Sequence, residues 1–193
     1  MQTEITTRVL MTNEELYKLL KDEGFIFEGS YDIRDTYYSS LGGREQVKSC
    51  DYQTLISKSM IVRDVTSSEG GEQALIYKNK KFDEFGNVIG ESKLRLQVED
   101  CAKLNMLLKQ TGFESWCTVV NCSKWFKRGE IEIIVQEVEN LGTFIEIEEY
   151  ESIAHLKDEE KFAALIKLLD ELNIKTTDEY SIKKPFMLLH LDD

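Results

Sequence analysis

Three short stretches of alternating residues put charged side chains in rows. A strand points successive side chains to opposite faces, so Glu4, Thr6 and Arg8 share one face, opposed by Ile5 and Val9. Lys93, Arg95 and Gln97 likewise oppose Leu94, Leu96 and Val98, and Glu146 and Glu148 oppose Ile145 and Ile147. Carboxylate oxygens hold hard divalent cations such as Mg²⁺ or Mn²⁺, which keep several waters and bridge to phosphate. Guanidinium and ammonium groups bind phosphate oxygens. Rows of both kinds facing one interior would suit a polyphosphate with a divalent metal. The bland alternative is an open antiparallel sheet whose charged face meets water, with cross-strand ion pairs.

The rows belong to a recurring unit of strand followed by helix. "TEITTRVL" precedes "TNEELYKLLKDEG", which opens on a capping box, Thr12 and Glu15, stops at Gly24 and carries Leu16, Leu19 and Leu20 as its stripe. "SKLRLQVE" precedes "EDCAKLNMLLKQTG", with Asp100 as N-cap and Leu104, Leu107 and Leu108 inside. "TFIEIEEY" precedes "DEEKFAALIKLLDELN", with Phe162, Leu165, Ile166, Leu169 and Leu172 as the stripe and "KDEEK" as a solvated first turn. Helices need apolar cover, so the apolar strand faces should pack on them and the charged faces should point away. Further strands are expected in "IRDTYY", "LISKSMIVRDV", "QALIYKNKK", "WCTVVNCSKWF" and "EIEIIVQEV", about eight in all, with turns at "SSEGGE", "DEFGN" and "FKRGE". A short helix is expected near Pro185. Eight strands are enough for a barrel, and closure would make the charged faces an interior.

Composition narrows the function classes. The 193 residues include 36 Asp and Glu against 24 Lys and Arg, a formal net charge of −12. That argues against a nucleic-acid backbone as the main partner, while leaving room for a small anion in a locally basic pocket. One proline and no low-complexity linker imply a single domain over 1–193. No run of about 18 apolar residues is present, and "MQTEITTRVL" lacks the apolar core of a signal peptide, so the expectation is cytoplasmic with no membrane partner. Cys50, Cys101, Cys117 and Cys122 form no CxxC and only His155 and His190 are available, so reduced thiols are expected rather than a zinc site. "DEFGN" lacks the later ligands of a calcium loop. Trp116 and Trp125 read as core or tunnel-mouth side chains rather than as base-stacking platforms.

"TEITTR", "DTYY" at Asp35 to Tyr38, "IYKN" around Lys78 and above all "VQEVENLGTFIEIE" resemble the CYTH, or triphosphate tunnel, superfamily, and the order of elements matches over nearly the whole chain. The resemblance implies an α+β fold: an eight-stranded antiparallel β-barrel, the triphosphate tunnel, with flanking α-helices. It implies a triphosphate ligand with Mg²⁺ or Mn²⁺, and an activity among class IV adenylyl cyclases, thiamine triphosphatases, inorganic triphosphatases and RNA triphosphatases. The signature is rewritten in this chain. The opening Glu-x-Glu-x-Lys reads Glu4, Thr6, Arg8; the Arg-x-Arg strand reads Ile61 and Arg63; the strand lysine is Lys78. The central Glu-x-Glu reads Lys93 and Arg95, the later Lys-x-Arg reads Asn121 and Ser123, an aspartate reads Gln136, and the final Glu-x-Glu stands as Glu146 and Glu148.

The resulting expectation is a metal held by Glu4, Glu146 and Glu148, with phosphates held by Arg8, Arg63, Lys78, Lys93 and Arg95. Three cations vanish and two appear, so the anion site has moved its cations to another wall. No catalytic residue is assigned. The reading leaves open a triphosphatase, a cyclase acting on ATP, or a degenerate tunnel that only binds a nucleotide or polyphosphate, and it leaves the oligomeric state, monomer or homodimer, unassigned.

Overall fold

The computed structural model describes residues 3–82, 88–180 and 182–191. In chain order the elements are β1 (Glu4–Arg8), α1 (Asn13–Asp22), β2 (Ile26–Ser39), α2 (Arg44–Val47), α3 (Tyr52–Ser57), β3 (Ser59–Ser67), β4 (Gly70–Phe82), β5 (Val88–Gln97), α4 (Cys101–Gln110), β6 (Glu114–Arg128), β7 (Ile131–Val138), β8 (Gly142–Glu148), α5 (Asp158–Glu171) and α6 (Lys184–Leu189). The expected turn "DEFGN" lies outside the described residues. The eight strands form one sheet in the order β1-β8-β7-β6-β2-β3-β4-β5, and each neighbouring pair is antiparallel.

The sheet curls into a half-barrel with helices on its outside. Among the described residues its edge strands β1 and β5 do not pair with each other. The chain after α5 runs beside β1 instead: Thr6 N–H donates to the Tyr180 carbonyl at 3.0 Å, Thr177 N–H to that of Arg8 at 3.0 Å and Leu10 N–H to that of Lys175 at 2.8 Å. Edge backbone groups that would otherwise seek a partner are satisfied by this segment.

Two of the three strand–helix units bury as the alternation requires. Ile5, Val9, Ile145 and Ile147 pack with Leu16 and Leu20 of α1 and Leu165, Leu168 and Leu169 of α5 into one outer core. The α1 capping box is present: the Thr12 hydroxyl accepts from Glu15 N–H at 3.2 Å, and the Glu15 carboxylate accepts from Thr12 N–H at 2.9 Å. The β5 unit departs from the expectation. Leu94 and Leu96 are 71% and 65% exposed, and Leu107 is exposed with them. Helix α4 lies over β2, β3 and β4, where Leu108 meets Tyr38 and Val62, and ten residues are too short to cover the sheet edge as well. In α5 the first turn is not wholly solvated, because Lys161 is buried and pairs with Glu149 at 3.0 Å.

Residues 55–57 belong to α3 rather than to a strand. Asp51 caps that helix, accepting from Thr54 N–H at 2.8 Å. Helices α2, α3 and α6 close one end of the half-barrel. Arg44 donates to the Leu188 and Leu189 carbonyls, satisfying acceptors that the end of α6 leaves open. Among the described residues no helix is long and apolar enough to cross a membrane. All four cysteines are free thiols, and burial pushes the Cys117 thiol up to about 12.

Candidate active site

Along six strands the concave face changes from polar to apolar at one level. Glu146 gives way to Phe144 on β8, Gln136 to Val138 on β7, Asn121 to Val119 on β6, Asp35 to Tyr37 on β2, Arg63 to Ile61 on β3 and Lys78 to Ile76 on β4. Each step is two residues, so both members face inward. The six apolar residues pack with Leu55 of α3 and Leu188 and Leu189 of α6 into an inner core. The half-barrel is therefore a cup. Its floor is apolar, and above the floor lies a cavity of about 180 Å³.

One wall of the cup is acidic. Glu4 and Glu148 are cross-strand partners, and Glu146 pairs with Thr6. Glu4, Glu146 and Glu148 each offer an oxygen, and these oxygens lie within 4.8 Å of one another. Three carboxylates this close repel unless a cation or protons intervene. An all-oxygen donor set suits a hard divalent ion and leaves further positions to water and phosphate. These three carboxylates are the residues that could hold such an ion.

The other walls carry the cations, and the structure sorts the expected ones. Arg63, Lys78 and Lys93 line the cavity. Arg63 makes a two-pronged pair with Asp35, Nε to Oδ1 at 2.7 Å and Nη2 to Oδ2 at 2.6 Å. Burial alone would pull the guanidinium pKa down, but the Asp35 bonds and charge outweigh it and the net shift is upward. Arg8 sits below the cavity, at floor level, with its guanidinium 5.4 Å from the centre of the Phe144 ring. Arg95 lies beyond the cavity and pairs with Glu72 at 2.7 Å.

The sequence reading missed three cavity lysines, Lys80, Lys183 and Lys184. Lys80 continues the inward alternation of Lys78. Lys183 and Lys184 come from the segment after α5, and the signal for them was a lysine pair just ahead of Pro185. The Lys184 ammonium donates to Gln136 Oε1, and the Gln136 amide donates to Glu146 Oε2 at 3.2 Å. Burial lowers the Lys184 pKa and Lys78 adds to the effect, while Glu146, Glu4 and Asp35 oppose it. Of the "DTYY" tyrosines, Tyr37 faces the cavity and Tyr38 faces out, donating to Asn105 at 3.0 Å. Tyr31 also lines the cup; burial, then the charge of Glu146, raises its pKa and keeps it neutral.

No family model matches the chain. It is 24% identical over 189 residues to the protein named "Putative adenylate cyclase MJ0240" from Methanocaldococcus jannaschii, covering 97% of each chain. Among solved structures it is similar to the PH1819 protein of Pyrococcus horikoshii OT3, with a TM-score of 0.75, 25% identity and 99% of each chain covered. It also shares its fold with the Hippeastrum protein HpAC1, whose structure is described as that of a putative adenylyl cyclase with a dominant triphosphatase activity; there the TM-score is 0.61, the identity 17%, and the coverage 99% of this chain and 96% of the other. The likeness runs along the whole chain, and the eight-stranded half-barrel is a fold shared with the PH1819 protein and with HpAC1.

Proposed function

We propose that this protein is a divergent member of the CYTH superfamily that binds a triphosphate-bearing anion with Mg²⁺ or Mn²⁺ in the cup and cleaves it, as a triphosphatase or a cyclase. One observation carries the reading: Glu4, Glu146 and Glu148 converge within 4.8 Å in a cup whose remaining walls bring in Arg63, Lys78, Lys93 and Lys184. The metal would be held by the three carboxylates and would neutralise phosphate charge. Arg63 and the lysines would bind and orient the phosphate oxygens, and the Asp35 pair takes up Nε and Nη2 of Arg63 and fixes the plane of its guanidinium. The apolar floor keeps bulk water from the far side and strengthens each ionic contact above it. The name of the archaeal relative and the described activity of HpAC1 support this class of chemistry without choosing between its two forms.

The test is turnover. Tripolyphosphate, ATP and thiamine triphosphate are incubated with the protein in Mg²⁺ and in Mn²⁺, and phosphate, pyrophosphate and cyclic AMP are measured. Release of product above a Glu146→Ala/Glu148→Ala control is expected. A second reading, a binding module without turnover, draws on Arg95, which stands in a metal-carboxylate position of the family pattern and here pairs with Glu72 outside the cup. Ligand-dependent stabilisation with no product above the control would select it.

A further inference from the structure

Every side chain of β5 from Ser92 to Gln97 is exposed, on both faces of the strand. Among the described residues no strand pairs with its outer edge. The register decides which backbone groups meet that edge. Val98 N–H donates to the Gln73 carbonyl at 2.8 Å, and the pairing runs on as Leu96 with Leu75 and Leu94 with Tyr77. In an antiparallel ladder every second pair exchanges hydrogen bonds, so Leu94 and Leu96 turn their N–H and C=O groups to β4. Lys93, Arg95 and Gln97 turn theirs outward. Such an edge is a template on which a further strand can form.

The two faces of that edge differ. Leu94 and Leu96 form an exposed apolar strip on the outer face. Leu107 adds exposed apolar surface: it lies on the side of α4 opposite Asn105, which bonds Tyr38 of β2, and so faces away from that strand. On the inner face β4 and β5 carry Lys78, Lys80, Lys93 and Arg95 against Glu72, four cations to one carboxylate among the described side chains. A second copy of the chain is a poor occupant. Two-fold pairing of β5 with itself, centred on Leu94 or on Arg95, sets Lys93 against Arg95 or Arg95 against Arg95, and like charges directly opposite are destabilising.

We propose that the β5 edge is a docking site for an extended acidic peptide, a partner strand in which carboxylates alternate with apolar residues. The alternation follows from the pairing. Partner residues opposite Lys93 and Arg95 share their inner face, and those opposite Leu94 and Leu96 share the outer one. Backbone bonds supply affinity that any extended segment could claim, and the two rows of side chains select the sequence. The site stands apart from the proposed triphosphate chemistry, because Leu94, Arg95 and Leu96 lie outside the cavity. The competing role for the same residues is protective: inward-pointing charges on an edge strand discourage pairing.

Calorimetry and amide hydrogen exchange separate the two, with three capped eight-residue peptides as probes. One alternates Glu with Ile, one has Lys in place of Glu, and one has the first composition with all Glu ahead of all Ile. Only the alternating acidic peptide should bind, and less tightly as salt rises. At ten times its Kd, the Arg95 and Gln97 amides should exchange about tenfold more slowly. Leu94→Ser/Leu96→Ser, at two exposed positions, should cost about 2- to 25-fold in affinity while the melting curve stays in place. Arg95→Glu should turn the preference toward the lysine peptide. Equal binding of the block peptide, or exchange at Arg95 and Gln97 that does not slow, overturns the docking site. Binding of none of the three overturns it in favour of the protective role. A dimer in sedimentation that Leu94→Ser/Leu96→Ser abolishes also overturns it and gives the edge to a second copy.

Discussion

Lys184 donates its ammonium to Gln136, and Gln136 passes the contact on to Glu146. A neutral amide therefore stands between a half-buried cation and the carboxylate cluster. The cation is held near the acidic wall without neutralising it directly.

Replacing Lys184 by Met tests its role as a phosphate ligand. A hydrogen bond to a charged group contributes roughly 1.5–3 kcal/mol, so triphosphate affinity should fall by about tenfold or more. Stability should not fall with it. The lowered pKa means that folding disfavours the charged ammonium, and Met removes that charge. Calorimetry and a melting curve of the ligand-free variant check both halves.

The carboxylate cluster gives a prediction with opposite signs in two buffers. In a chelator, Glu148→Gln should raise the melting temperature, because one of three mutually repelling charges is gone. With Mg²⁺ added, the unaltered protein should gain stability by mass action and the variant should gain little. Differential scanning calorimetry in EDTA and in Mg²⁺ reads both effects. A variant that is less stable in EDTA would mean that the three carboxylates hold the fold together without a metal.

Phe144 is fully buried, and the side chains of Arg8 and Lys184 lie 5.4 and 5.5 Å from its ring centre. Phe144→Ala should cost about 3–5 kcal/mol by urea denaturation. Ligand affinity should fall as well, because Lys184 loses the surface it rests on. Leu20→Ala in the outer core supplies the control: roughly 2–5 kcal/mol of destabilisation with affinity retained.

Outside the cup, Tyr17 and Lys124 both donate to Glu137, at 2.6 and 2.8 Å, tying α1 to β6 and β7. The Lys124 bond, then the Tyr17 bond, lowers the Glu137 pKa below its ordinary 4.5. A depressed carboxylate stabilises the fold above its unfolded pKa and loses that contribution as pH falls through the folded value. Urea midpoints should therefore drop for the unaltered protein from pH 5 toward pH 3, and Glu137→Gln should remove part of that dependence. The pair is about a third exposed, so solvent screening keeps the effect small.

The helices were legible where local signals agree with burial. Thr12 and Glu15 announce a cap, Asp100 another, and both helices stop where expected. Helix α3 was hidden because Thr54, Leu55 and Ile56 have the composition of a strand; its Asp51 cap was the contrary signal. Alternation located Glu4, Glu146 and Glu148, since period two fixes a face from sequence alone. It could not place Arg8 and Arg95, which share the inward face but lie beyond the cavity, at positions set by the shear of the curled sheet. Nor could it find Lys184, because no local periodicity tells an irregular segment which cavity it enters. Leu94 and Leu96 were misplaced for a related reason: alternation gives a side chain its face, while only the path of α4 decides whether that face is covered.

The run of the chain beside β1 also sets an order in time. Thr6 meets Glu146 across 140 residues of sequence and Tyr180 across a longer stretch still. Hairpins such as β6–β7 close over a few residues, whereas these pairings must wait for distant chain to arrive. Glu4 and Lys184 reach the cup only by these late contacts. On refolding, the proposed affinity for a divalent metal should therefore emerge in the slowest phase, after most of the sheet has formed, and metal uptake would serve as a clock for the final step of assembly.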